Sequence, residues 1–353
     1  MWIRREKMVV DTCMDHVPVD LYDNEEMLNG FINCIPEDSG YRAYVGSTAG
    51  GLRQLLLEKP EGLDNLNYVD GEYSLKVKLD AMDECGVDAG IIKIPCWQEW
   101  LDIKTCRMVN DDAAQMCADS DGRIFALAAV PPWDDEENYR ELERCIGELK
   151  MCGVQMACHY GERYLDDPAF RPFLARVNEM GIPVYVRHTP LPADWKHLVD
   201  YNNVRRTLGR VIDQSIAVGR ELFSGMLGEL PNVKFVHTLL GGNWYGVAAS
   251  MIPRKSARAE SMVRLESDSR EKVLEYLDKN LFFEATHAST LGKDQLESAV
   301  KICGADHILF GSSFPVFHGW MSDGVKMIRS LDITEEEKDL ILGENAVKIF
   351  GLK

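Results

Sequence analysis

Asp11, Cys13 and Asp15 stand at alternate positions in the run MVVDTCMD, so an extended strand would turn all three side chains to one side. A thiol between two carboxylates can ligate a divalent ion, and it can attack an electrophile if a neighbouring imidazole lowers its pKa. Groups of related chemistry close other apolar runs. His159 follows Cys158, Arg187 and His188 end IPVYVRH, His237 ends VKFVH, Glu284 and His287 close LFFEATH, and Ser312 and Ser313 end HILFGSS. Imidazoles exchange protons near neutral pH and need partners when buried. Four of the eight histidines at such ends imply a common pocket to which Cys13, Asp15 and Ser313 also turn.

The elements that would carry these residues are legible as apolar runs at 8–13, 89–94, 123–130, 153–158, 182–187, 233–237, 281–286 and 307–313. Amphipathic stretches lie between them, among them SLKVKLDAMDECG, ENYRELERCIGELKMCG and PAFRPFLARVNEMG, each closed by a glycine suited to a helix C-terminus. Eight strand–helix alternations predict an α/β fold with a parallel sheet closed into a (β/α)8 TIM barrel, and residues 1–353 read as a single domain. Two stretches exceed a minimal barrel, about 14–72 after strand one and about 189–231 after strand five; they read as lid insertions over the C-terminal face. The glycines of YRAYVGSTAGG in the first suggest a tight loop or hinge.

Composition narrows the partners. The 353 residues are 46% hydrophobic, enough for a large core, and carry 57 acidic against 39 basic side chains, a formal charge of −18. Such a balance repels nucleic acid and anionic membrane, and leaves a small-molecule substrate. Ten cysteines without paired spacing suit a reduced cytoplasm, most of them as small core residues. The start MWIRREKMVVDTC lacks the apolar core of a signal peptide, and no run reaches about 18 apolar residues. GVDAG and LLGGN lack phosphate-loop spacing, and WDDEEN reads as a helix start.

In order along the chain, GRIFALAAVPP, CGVQMACHYGERYLDDPAFRPFLARVNEMGIPVYVRH, NVKFVHTLLGG, ADHILFGSSFP and GENAVKIFG resemble the amidohydrolase-related barrels that include aminocarboxymuconate semialdehyde decarboxylase and the resorcylate-type nonoxidative decarboxylases. The resemblance runs from about Met8 to Leu352. It implies that His188 binds a metal and that His237 activates water or moves a proton. The chain departs from the family pattern at Cys13 and Asp15, where two histidines are expected, and at Ser313, where an aspartate is expected.

Three mechanisms follow. In one, Cys13, Asp15 and His188 hold a divalent metal, zinc first, while His237 and Ser313 are catalytic. In another the metal is absent and histidines, Asp15 and a cation such as Arg187 form an acid–base constellation. In the third the barrel only binds a partner. The expected activity is hydrolysis or nonoxidative decarboxylation of a small carboxylated or phenolic compound contacted by Arg187, His159, His287 and Trp244. The resemblance also implies a homodimer. His16 reads as a surface or loop-packing residue, with an alternative ligand as the other reading, and Glu284 and His287 each read as either a replacement ligand or a partner of loop backbone.

Overall fold

The computed structural model describes residues 7–189, 191–193, 195–253 and 268–353. The charged start at residues 1–6 lies outside them. Eight parallel strands form one sheet: β1 (Val10–Asp15), β2 (Ala89–Lys93), β3 (Ile124–Ala129), β4 (Gly153–Ala157), β5 (Pro183–Arg187), β6 (Lys234–His237), β7 (Leu281–Thr286) and β8 (Ile308–Gly311). Every anticipated strand is present. The seam between the last strand and the first is closed by backbone hydrogen bonds just beyond β8, Asp15 N–H to Phe314 O (2.7 Å) and Ser313 N–H to Cys13 O (2.6 Å).

The strands read as near-continuous apolar runs because both faces are buried. Inside the ring, Val10, Ala89, Ile91, Leu127, Tyr185, Val236 and Leu309 pack together, with Ile349 and Phe350 of the final helix among them. On the outer face, residues such as Val154, Val184, Phe235 and Phe283 pack against the surrounding helices. Helix starts follow local chemistry: Ser74 and Asp102 each accept a backbone N–H of the first turn, and Thr334 with Glu337 forms a capping box. Asp135, within WDDEEN, caps the helix Glu136–Gly147. One boundary differs from expectation. That helix ends at Gly147, the chain turns at Lys150 with φ of 58°, and the glycine of KMCG opens β4.

The excess residues after β1 form a helix (Glu25–Asn33) and a three-stranded antiparallel sheet, Arg42–Ser47, Arg53–Glu58 and Asp64–Val69. YRAYVGSTAGG is therefore a strand and turn of this sheet. The excess after β5 includes the helix Gly209–Phe223. The two insertions touch: Arg205 donates to the carbonyls of Lys59 (2.9 Å) and Asp64 (3.1 Å), and the rings of Tyr41 and Trp195 lie 6.1 Å apart.

Candidate functional site

At the C-terminal mouth of the barrel the inward positions change from apolar to polar. On β2 the inward series Ala89, Ile91 continues to Lys93, and on β5 Tyr185 is followed by Arg187. Lys93 and Arg187 converge on one carboxylate: Lys93 Nζ and Arg187 Nη1 (2.9 Å) both donate to Asp15 Oδ1. All three side chains are buried. Asp15 Oδ2 has no hydrogen-bond partner, and the Asp15 carbonyl accepts from the buried Lys78 ammonium at 3.0 Å. Burial pushes Lys78 down to about 7.

Three polar pairs fill the rest of the ring. Asp11 accepts the backbone N–H groups of Cys13 and Ser312 (both 3.0 Å) and the Ser312 hydroxyl. Burial raises its pKa against these bonds. Cys13 Sγ lies 3.2 Å from Ser313 Oγ, and burial pushes the thiol up to about 11, so it is not a ready nucleophile. Glu284 Oε2 accepts the hydroxyls of Tyr185 (2.9 Å) and Thr286, while its Oε1 is buried without a partner. Burial raises Glu284 to about 7, so the carboxyl holds a proton near neutrality.

Cationic and neutral donors complete the mouth. Burial, then Arg187 and Arg210, holds His188 well below the ordinary imidazole range, so the ring is neutral. Thr238 Oγ1 accepts from the His188 N–H (3.0 Å) and from Gln214 Nε2 (2.8 Å), and its own proton faces His188 Nδ1 at 3.1 Å. The Thr238 hydroxyl also reaches the Val186 carbonyl (3.4 Å); where it donates to Nδ1, the neutral ring carries its proton on Nε2. His287 stacks on Trp320 with centroids 3.6 Å apart and is depressed by burial and by Arg210. Arg210, on the helix Gly209–Phe223, is lowered to about 10 by burial. Its Nε has no hydrogen-bond partner, and among the described residues no carboxylate forms an ion pair with it.

The structure thus places Cys13, Asp15, Arg187, His188, His287 and Ser313 around one mouth. It corrects four other expectations. His237 faces outward: β5 and β6 pair Tyr185 with Val236 and Val186 with His237, so Val236 and Thr238 are the inward positions. Its ring is wholly buried between Gln214 Oε1 (2.8 Å) and Glu221 Oε2 (2.6 Å) on the outer helix. It cannot reach a substrate. His159 is spent on carbonyls of Gly161 (2.7 Å) and Leu191 (3.0 Å), beside Thr189, and fastens loops after β4 and β5. Trp244 is a core residue of the helix Trp244–Met251, beside a small outer cavity with Phe283 and His307. His16 is not at the surface: it is buried against Asp112 Oδ2 at 2.6 Å. Lys93, Arg210 and Tyr185 were missed. The alternation in AGIIK points to Lys93, but no local signal marks Arg210, which arrives from an insertion helix.

The set Cys13, Asp15, His188 does not fit a divalent metal. Among the described residues, no three His, Cys, Asp or Glu side chains are grouped to hold one. Asp15 Oδ1 is committed to two cations and Cys13 to a hydroxyl with its thiol proton retained, which leaves Asp15 Oδ2 and His188 Nε2, two donors where a protein zinc site takes three or four. A divalent ion about 4 Å from one monovalent cation is repelled by about 8 kcal/mol at an effective dielectric of about 20. Asp15 cancels one of the two neighbours, Lys93 and Arg187, and the remaining repulsion of about 8 kcal/mol removes much of the gain of about 10–16 kcal/mol that strong zinc sites give.

Comparison with known proteins agrees with this architecture. A family model described as amidohydrolase matches residues 98–352. The γ-resorcylate decarboxylase of a Rhizobium species is 26% identical over 321 residues, covering 83% of this chain and 95% of its own. The 2-amino-3-carboxymuconate-6-semialdehyde decarboxylase of Dictyostelium discoideum is 24% identical over 256 residues, covering 72% and 68%. Among solved structures, a 5-carboxyvanillate decarboxylase of Novosphingobium aromaticivorans with bound manganese superimposes with a TM-score of 0.76 at 17% identity, over 98% of each chain. That likeness shows the barrel fold.

Proposed function

The chain belongs to the amidohydrolase family, and from that premise we propose that it is an enzyme catalysing nonoxidative decarboxylation of a small carboxylated, phenolic aromatic acid. The observation that carries this reading is the cationic mouth: Arg210, half-buried and among the described residues without a carboxylate ion pair, acts electrostatically on His188 and His287 beside the Lys93–Asp15–Arg187 cluster. A half-buried guanidinium with no carboxylate partner is stabilised by a planar anion that it can grip with two N–H groups, which describes a carboxylate. The curated relatives named above are decarboxylases of carboxylated compounds, which favours carboxy-lyase chemistry over hydrolysis.

In this reaction the bond between the ring carbon and the carboxylate breaks, its electron pair remains on the ring carbon, a proton bonds there, and carbon dioxide leaves. Arg210 and the neutral His188 Nε2–H hold the anionic substrate, and His287 with Trp320 offers an aromatic wall. Glu284, protonated near neutrality, supplies the proton, with Tyr185 and Thr286 orienting its carboxyl. No step passes through a metal, because the donors present do not fit one. The whole chain acts as one domain, working as a homodimer. That its ten cysteines form no disulfide supports a reducing, cytoplasmic setting. Among the described residues no helix is long and apolar enough to cross a membrane.

The test is incubation of purified protein with γ-resorcylate, 5-carboxyvanillate and related hydroxybenzoates, with product phenols and carbon dioxide quantified. Arg210→Ala is expected to raise KM at least tenfold, the loss of about 1.4 kcal/mol or more that a charge-assisted hydrogen bond supplies. Unchanged KM, or release of an amine or alcohol from ester or amide substrates instead of carbon dioxide, overturns the reading.

A further inference from the structure

Lys93 is the least conventional member of the mouth. An ammonium on four rotatable bonds is seldom fully buried, yet this one ends β2 with no exposed side-chain surface and donates to Asp15. Its charge is felt around the whole ring. It acts on Asp11 and Cys13 from β1, on Glu284 from β7, and on His188 and His287 beyond β5 and β7. A second contact fixes its height, because the ammonium lies 5.8 Å from the centre of the Tyr185 ring. The three positions at which the chain departs from the family's ligand pattern are Cys13, Asp15 and Ser313. One of them pairs with Lys93 directly and the other two pair with each other.

We propose that the Lys93 ammonium is the built-in cation of this site, held by Asp15 among the positions of the former metal ligands, where it binds the carboxylate or phenolate oxygen of the substrate and makes the enzyme independent of a divalent ion. The inference rests on the decarboxylase reading for the ligand's identity but not for the exclusion of metal. An ammonium fills the role in part: it supplies one positive charge and three hydrogen-bond donors, enough to neutralise an oxyanion without a ligand set. The substitutions are mutually consistent. An aspartate in place of a histidine gives the ammonium its counter-charge, and a neutral serine in place of an aspartate avoids a further buried carboxylate beside Asp11 and Glu284.

The test has two arms with separate failures. In the first, wild type and Lys93→Met are equilibrated with manganese or zinc, desalted and analysed for metal. Wild type is expected to retain less than about a tenth of an equivalent, and Lys93→Met, with Asp15 relieved of one cation, to retain more. One tightly held equivalent in wild type overturns the proposal whatever the substrate. In the second arm γ-resorcylate is titrated calorimetrically with and without chelator. Affinity is expected to be indifferent to chelator, to fall at least tenfold in Lys93→Met, and to stay within about threefold in Lys93→Arg. Lys93→Met binding as tightly as wild type overturns the role in recognition. If wild type binds neither γ-resorcylate nor 5-carboxyvanillate, the decarboxylase reading fails and the metal arm alone judges Lys93. Should Lys93→Met not fold, the double variant Asp15→Asn/Lys93→Met removes both charges together and serves in its place.

Discussion

Asp15 shows how much a single carboxylate can be asked to do. It neutralises Lys93 and Arg187, and its carbonyl receives Lys78, so three basic groups converge on one residue. Replacing it by asparagine leaves buried cations without a counter-charge, and removing one partner of a buried ion pair costs about 3–5 kcal/mol. Urea unfolding of Asp15→Asn is expected to show a loss of that size, and a loss under about 1 kcal/mol would mean that the cations are hydrated or paired elsewhere. His237 makes the opposite case. A hydrogen-bonded chain runs from Glu221 through His237 and Gln214 to Thr238 and ends on His188. His237→Ala should therefore lower stability by about 2–4 kcal/mol, since Glu221 is left buried and unpaired, while turnover at a temperature where the variant is folded falls less than about tenfold. Loss of all turnover with the stability unchanged would restore His237 to the reaction itself.

Among the strands, β7, β8 and β1 approach closely at Gly311. A Cβ added at Gly311 would sit 2.0 Å from Glu284 Oε1 and 2.5 Å from the Cys13 Cβ, so Gly311→Ala cannot be accommodated without moving two strands, and a loss of about 2 kcal/mol or more in thermal unfolding is expected. Glu284 also ties stability to pH. Its folded pKa of about 7 lies above the ordinary 4.5, so the folded state holds the proton more tightly. That contribution is complete below about 4.5 and is lost as pH rises through about 7, a change of about 3 kcal/mol. Glu284→Gln should abolish this slope between pH 4.5 and 7 in urea titrations, and should lower decarboxylation at every pH; a variant with the wild-type slope would show that another group is responsible. All eight strands were legible because a strand buried on both faces is a short apolar run, and Arg187 and Ser313 were legible because they end such runs. For His237 the motif resemblance and the alternation through Val236 point to opposite faces, and the alternation is the one that holds; Lys93 is legible from the same alternation through Ala89 and Ile91. Arg210 and the outward partner Glu221 belong to a helix whose position over the mouth depends on long-range packing, which no local pattern encodes.

Across the whole molecule, a formal charge of −18 contrasts with a mouth rich in cations, so the proposed binding of an anion there calls for cover from both water and the general negative field. We propose that the two insertions, which touch each other, supply that cover. Arg205 reaches from the second to the carbonyls of Lys59 and Asp64 in the first, and Lys59 lies 3.7 Å from the Trp100 ring centre, with Tyr41 beside Trp100 and Trp195. The contact joins two peripheral elements and leaves the barrel seam untouched, so its loss should loosen the cover without unfolding the ring. For Arg205→Met the expected outcome is faster amide exchange over Arg53–Val69, a KM raised several-fold, and a global unfolding free energy within about 1 kcal/mol of wild type. Unaltered exchange together with unaltered KM would mean that the insertions do not cover the site, and the shielding of Lys93 and Arg210 would then rest on the strand-end loops alone.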